Sequence, residues 1–303
     1  MNNEKRNVEG RVVRKWSFLI FFVSLVAAIA GCATWRGQPP LRAATAEQLI
    51  ELLREREAAI RTLKGLFRAQ IKAPGFPIAQ QVEGAVFYRR PDALRLQGFN
   101  RLGGELFEFV LGEDVYRLRL PTTGQVLTGR VTELDRIGQL GRPFQLSVWA
   151  VSGAVGIAPV SDQEKVLLSE DGDRYRMDVL KPGEPEGVHA GRLTRRIWFE
   201  RQSFQVVRED RLTPGGEVEA TMQLEDFRPV DFSPNGQPPS SVSRVMADPM
   251  VKPFKILMRD GQGQGTLWLT FHEIVPNPPL KPSELGMARG FSPLGGRRED
   301  PCG

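Results

Sequence analysis

Two cysteines and two histidines are all that this 303-residue chain offers for thiol or imidazole chemistry. Cys32 is the informative one. It follows Ile29, Ala30 and Gly31 at the end of an apolar run from Phe18 to Ala30. That run follows a basic start with Lys5, Arg6, Arg11, Arg14 and Lys15. Charged, apolar and small-residue regions in this order make an export signal, here one that ends at a thiol. Trp16 to Ala30 falls short of the roughly 20 apolar residues that a bilayer-spanning helix needs.

Other chemistry is poorly provided for. His189 stands in the loop Gly187–Gly191 and His272 in a predicted strand, Leu267–Ile274, and neither has metal-ligand spacing. His272 shares a strand face with Trp268 and Ile274, which suits a structural histidine. Val151-Ser152-Gly153 lacks the leading glycine of a nucleophile elbow. Gly261-Gln262-Gly263-Gln264-Gly265 lacks the Lys-Ser/Thr end of a phosphate loop and precedes a strand, so it reads as a hairpin turn. Glu184 and Glu186 lie in a Pro/Gly loop, where solvated charges are expected. The chain reads as a non-enzyme with no metal and no dissociable cofactor.

Charge adds little. Five of the 41 basic and two of the 36 acidic residues fall in the first 31, which leaves 36 and 34 for the remainder. A balance this even gives no reason to expect a nucleic-acid partner.

Ile29-Ala30-Gly31-Cys32 resembles the lipobox of bacterial lipoprotein signals. The resemblance implies cleavage before Cys32, a diacylglyceryl group on its sulfur and a third acyl chain on its new amine. Two or three buried chains suffice for stable anchoring. Ala33 and Thr34 are not the aspartate that such signals associate with inner-membrane retention, so the implied destination is the outer membrane, facing the periplasm. Acylation would leave Cys302 with no intramolecular disulfide partner.

The pattern behind Cys32 divides the chain into a signal over 1–31, a lipidated tether over 32–44, a folded domain over 45–275 and a Pro/Gly-rich disordered tail over 276–303. Thr45 with Gln48 makes a capping box, and Leu49, Leu52, Leu53, Ile60 and Leu63 recur at helical spacing, which predicts a helix over Thr45–Lys64. From Leu66 the period becomes two. It predicts strands at Leu66–Ala73, Gln81–Arg89, Ala93–Phe99, Glu105–Leu111, Asp114–Leu120 and Gln125–Arg130. After a break come Lys165–Ser169, Arg174–Leu180, Arg192–Glu200, Phe204–Leu212, Glu217–Phe227, Ser241–Val245, Lys252–Arg259 and Gly265–Ile274. Between the two sets, Val131–Ile157 is apolar but interrupted by Gly138, Gly141, Gly153 and Gly156, which predicts short helices with mobile joints. The fold class is mainly β (α+β): an antiparallel sheet whose apolar face is covered by helices. That cover makes either a container for an apolar ligand or an ordinary dry core.

The lipobox, tether, amphipathic helix and helix-interrupted sheet resemble the LolA/LolB family of lipoprotein-localisation proteins. Arg95-Leu96-Gln97-Gly98-Phe99-Asn100-Arg101-Leu102-Gly103-Gly104-Glu105-Leu106 resembles the receptor's strand, leucine-tipped loop and next strand. Leu134 through Gly153 is similar to its glycine-interrupted helices. The resemblance implies an incomplete β-barrel that accepts lipoprotein acyl chains and inserts lipoproteins at the outer membrane, with a LolA-like periplasmic carrier as a partner. It makes Leu102 the membrane-insertion residue, unless that side chain folds back onto the sheet. Phe76, in Ala73-Pro74-Gly75-Phe76-Pro77, is a second apolar loop tip or a packed turn residue. Alternation assigns the hydrophobic cavity to Leu94, Leu96, Phe107, Phe109, Tyr116, Leu118, Met177 and Met222, with Trp149 from the cover. A structural envelope lipoprotein, docking partners through its sheet edges or tail, and a carrier of another lipid are the alternatives. The chain is longer than the receptor, by extra strands after Gly191 and by the tail.

Overall fold

The computed structural model describes residues 40–73, 79–134, 141–182, 191–231, 250–263 and 265–286, and all its elements fall within one compact unit, Arg42–Gly303. The predicted export signal, Cys32, Phe76, Glu184, Glu186, His189, the predicted strand Ser241–Val245 and Cys302 lie outside the described residues.

Helix α1 spans Ala46–Ala58 and opens on the expected capping box, in which the Thr45 hydroxyl accepts from the Gln48 amide and the Gln48 side chain accepts from the Thr45 amide. It ends sooner than periodicity predicts. Side chains distant in sequence take the last carbonyls: Asn277 donates to Ala59 at 2.8 Å, and Arg90 donates to Ile60 at 2.8 Å and also to Glu57. With the helix end satisfied in this way, Ile60 and Leu63 leave the helical stripe, and Leu63 lies in the first strand.

Strands β1 (Thr62–Lys72), β2 (Gln80–Arg89), β3 (Ala93–Phe99), β4 (Glu105–Gly112), β5 (Val115–Leu120) and β6 (Gln125–Arg130) form one meander. Helix α2 (Gly141–Val155) follows. A second meander then runs through β7 (Lys165–Asp171), β8 (Arg174–Lys181), β9 (Arg192–Glu200), β10 (Val206–Leu212), β11 (Val218–Pro229), β12 (Val251–Asp260) and β13 (Thr266–Pro276). The sheet order is β6-β5-β4-β3-β2-β1-β13-β12-β11-β10-β9-β8-β7, with every neighbouring pair antiparallel. The first and last strands therefore meet in the middle, and β6 and β7 are the edges. This is the expected mainly β architecture, an open antiparallel sheet with helical cover.

Strand pairing aligns the apolar positions into rows across the inner face. One row runs Leu118, Phe109, Leu96, Val86 and Gly65; another runs Met177, Ile197, Glu209, Met222, Met258 and Leu267. A bulge in β13 opposite Leu66 and Phe67 changes parity there. Ile274 turns inward and is buried. His272 stays half-exposed with Nε2 3.6 Å from Glu83, so these two residues do not share a face as expected.

Two further expectations need correcting. The predicted short helices are one continuous helix within 141–155, and Gly153 is a point of close approach: a Cβ there would stand 2.6 Å from Met222 Sδ and 3.1 Å from Leu224 Cδ2. The tail predicted as disordered from 276 is ordered to Gly286. Pro276 ends β13, and the segment after it crosses the outer face of β3 to β5. There Arg95 donates to the Ser283 and Glu284 carbonyls at 3.3 and 3.1 Å, and Arg117 to that of Gly286 at 3.4 Å. Leu285 and the outward-facing Val110 of β4 are fully buried, and Glu108 beside them is buried. Docking also reaches into the predicted tether, where the Arg42 amide donates to Arg201 at 3.0 Å and the Ala44 amide to the Tyr175 hydroxyl at 3.2 Å.

Candidate functional site

The inner face of the sheet carries the predicted cavity residues. Leu94, Leu96, Phe109, Tyr116, Leu118, Met177 and Met222 are buried in one apolar cluster, and Phe107 and Trp149 pack against it half-buried. The rings order themselves beneath the start of α2. Phe144 meets Phe107 edge to face at 5.1 Å and stacks on Phe109 at 5.3 Å, and Phe109 in turn stacks on Tyr116 at 6.0 Å. Such pairs add to the stabilisation from burial alone.

Among the described residues the inner face is packed beneath α2, where a cavity of about 20 Å³ is bounded by Phe67, Ala69, Leu96, Phe107, Val151 and Leu269 among others. That is room for about one water. Of the nine predicted cavity residues only Leu96 and Phe107 touch it; Leu94, Phe109, Tyr116, Leu118, Met177 and Met222 are packed core, and Trp149 is half-buried against that core.

Cations fasten α2 at both ends. At its start, Arg142 donates to Asp260 at 2.8 Å and to the Glu219 carbonyl at 2.7 Å. At its end, the Lys252 ammonium donates to the Val155 carbonyl at 2.5 Å, where a cation also meets the negative pole of the helix. Between them Trp149 is sandwiched by Arg142 and Arg211, whose guanidinium carbons lie 5.3 and 4.6 Å from the ring centroid.

Sequence reasoning missed the charged residues on this face. Glu209 is only 2 % exposed in the row between Ile197 and Met222, 3.7 Å from Arg195 and 3.9 Å from Arg211, and its Oε1 has no hydrogen-bond partner. Burial pulls the Arg211 guanidinium below its ordinary value, and its charged neighbours follow as smaller influences. Lys252 could have been found, because it shares strand parity with Phe254, Ile256 and Met258. Glu209 could not, since a bulge between Val206 and Arg208 shifts its parity.

Leu102 stands at the tip of the β3–β4 hairpin and is 97 % exposed, so it does not fold back. The tip is built to hold it out. The Asn100 side chain accepts from the Leu102 and Gly104 amides, both at 2.9 Å, and Gly103 takes a φ of +83°, open to glycine at no steric cost. Arg101 beside it donates to Gln81.

Two clefts open at opposite ends of α2. One, of about 560 Å³, is lined by polar groups that include Arg142, Glu219 and Asp260. The other, of about 820 Å³ and mostly apolar, lies between α1, the end of α2 and strands β10 to β12. Among the described residues, no group of three or more His, Cys, Asp or Glu could hold a metal, and no helix is long and apolar enough to cross a membrane.

No protein-family model matches the sequence, and no curated protein matches it. Solved structures do match. A domain from Vibrio parahaemolyticus named for outer membrane lipoprotein sorting aligns with a TM-score of 0.51 at 11 % identity, over 80 % of this chain and 97 % of that one. A DUF1329 family protein from Desulfovibrio piger aligns at 0.52 with 8 % identity, over 80 % and 98 %. A LolA superfamily protein from Nitrosomonas europaea aligns at 0.46 with 11 % identity, over 80 % and 97 %. At such identities the likeness is one of fold, a large antiparallel sheet with helical cover shared with the Vibrio and Desulfovibrio structures.

Proposed function

We propose that this chain is a lipid-anchored protein of the outer membrane, facing the periplasm, that binds acyl chains between α2 and the inner face of its sheet and accepts or inserts lipoproteins at that membrane. The observation that carries this reading is the inner face itself, a largely apolar surface under a helix fastened at its two ends by Arg142 and Lys252. Releasing those two fastenings lifts α2 and turns the packed cluster into a lining. The naming of the Vibrio domain for lipoprotein sorting supports the reading. So does Leu102, an apolar side chain held fully in solvent, where it can enter acyl chains while Arg101 meets headgroups. Cys32 would supply the covalent lipid, and a LolA-like carrier the cargo.

One observation favours a second reading. Among the described residues the inner face under α2 is tightly packed, with a cavity of only about 20 Å³ there, which suits a structural envelope lipoprotein with a dry core. The two readings part in a single experiment. Protein isolated from its own membrane is crosslinked from a photoactivatable residue at Phe109 or Met177, and adducts are identified by mass spectrometry. An acyl-chain site gives lipid or lipoprotein adducts at both positions. A dry core gives only intramolecular products and refutes the proposal. Leu102→Glu should block cargo insertion while leaving those adducts in place.

A further inference from the structure

The cleft between α1 and β12 needs no movement of α2, and its chemistry differs from that of the interior. It is preformed at about 820 Å³, inside the range of small-ligand sites. Its walls are mostly apolar, with Leu53, Ile157, Leu224, Phe227 and Met250 among them. Two cations stand in its wall, one buried and one half-buried. Lys252 is 6 % exposed and points inward from β12; Arg56 reaches in from α1. Neither forms an ion pair among the described residues.

Both have donors to spare. The ammonium carries three N–H groups and uses one on the Val155 carbonyl; the guanidinium carries five and uses one on the Phe204 carbonyl at 2.6 Å. Of the nearby carboxylates, Glu55 acts on Arg56 through its charge without forming an ion pair, and Glu57 is engaged by Arg90 at 3.1 Å. Among the described residues the lining holds four cations and two carboxylates; of these Arg54 pairs with Glu51 at 3.8 Å and, beyond the lining, with Asp162 at 2.5 Å. A buried cation without a counter-ion is costly, and the open cleft gives an anion direct access to it.

We infer that this cleft is a binding site for a single-chain amphiphile with an anionic head, the carboxylate or phosphate seated on Lys252 and Arg56 and the hydrocarbon lying along Leu53, Ile157, Phe227 and Met250. An anion there completes the ion pair that the fold leaves open. Burial already pulls the lysine from 10.5 to about 7, with Arg56 and Arg90 adding repulsion, so seating the anion draws a proton onto it.

The test uses the full chain in nanodiscs of neutral phosphatidylcholine, labelled with a diazirine-bearing palmitate and read by peptide mass spectrometry. Labels are expected on Ala46–Ala58 and on Met250–Phe254. Palmitate should compete at concentrations at least about tenfold lower than hexadecanol, which has the chain but no charge. Lysophosphatidate as competitor distinguishes the two sources of the head: stronger competition than palmitate assigns phosphate, weaker assigns carboxylate. Lys252→Met and Arg56→Gln should each weaken labelling about tenfold or more. Equal competition by hexadecanol, or undiminished labelling of both variants, overturns the inference. Labels on Phe144–Val151 belong to the interior site, so failure of one site is visible separately from failure of the other.

Discussion

Lys252→Met tests whether the lysine at the end of β12 is held against its own stability. In the native chain its pKa falls from 10.5 to about 7, through burial first and the charges of Arg56 and Arg90 second. The unfolded chain keeps the ordinary value. Between these two values the unfolded state therefore binds more protons, and stability rises with pH. Below about pH 7 both states are charged and the burial cost is complete; above 10.5 it has vanished. At about 1.36 kcal/mol per pKa unit, the full cost is about 5 kcal/mol, of which about 4 kcal/mol is in force at pH 7. Methionine removes that cost but also the bond to the Val155 carbonyl, worth about 1.5–3 kcal/mol for a charged donor. The variant should be about 1–3 kcal/mol more stable at pH 7, an advantage that disappears by about pH 10. Urea unfolding followed by circular dichroism at several pH values measures it, and the difference between the two proteins cancels every other titrating group. A difference that does not change between pH 7 and 10, or a variant less stable than the native chain at pH 7, refutes the reasoning.

Three other outcomes are expected. Gly153→Val should destabilise by about 1–3 kcal/mol, because the added carbons meet Met222 and Leu224 where α2 lies closest to the sheet; thermal unfolding measures this. Asp260→Asn should raise amide exchange in the first turns of α2 while leaving that of α1 unchanged, since it weakens the Arg142 fastening alone. Asn277→Ala should cost about 1–3 kcal/mol, since it unties the Arg61 amide and the Ala59 carbonyl together. A shortening of α1 seen by amide exchange would accompany that loss.

The strands were legible because each has one apolar face, and that alternation survives whatever packs against it. Thirteen of the fourteen predicted strands lie in the described residues, and each coincides with an observed one, with a turn after β12 where the Gly263 amide donates to the Asp260 carbonyl. The end of α1 was not legible. Ile60 and Leu63 continue the helical spacing, and the groups that stop the helix, Asn277 and Arg90, are distant in sequence. Gly153 misled for a related reason, since a glycine that admits a neighbouring side chain looks in sequence like one that breaks a helix. The inner-face residues could be picked by parity, but parity is silent on whether that face is open or packed. It also hid Glu209, which a bulge moves to the inner face.

The pairing of β1 with β13 has a consequence in time. Strand β1 finds its β2 partner at once, but its other edge waits until Thr266–Pro276 has been made. Chain emerging N-terminus first can complete β1 to β6 and still expose an unpaired strand edge in the middle of the future sheet. Contacts spanning roughly two hundred residues also fold slowly. This chain therefore spends its early life with a sticky centre rather than sticky ends, and whatever shields it must cover β1 until the last strand arrives.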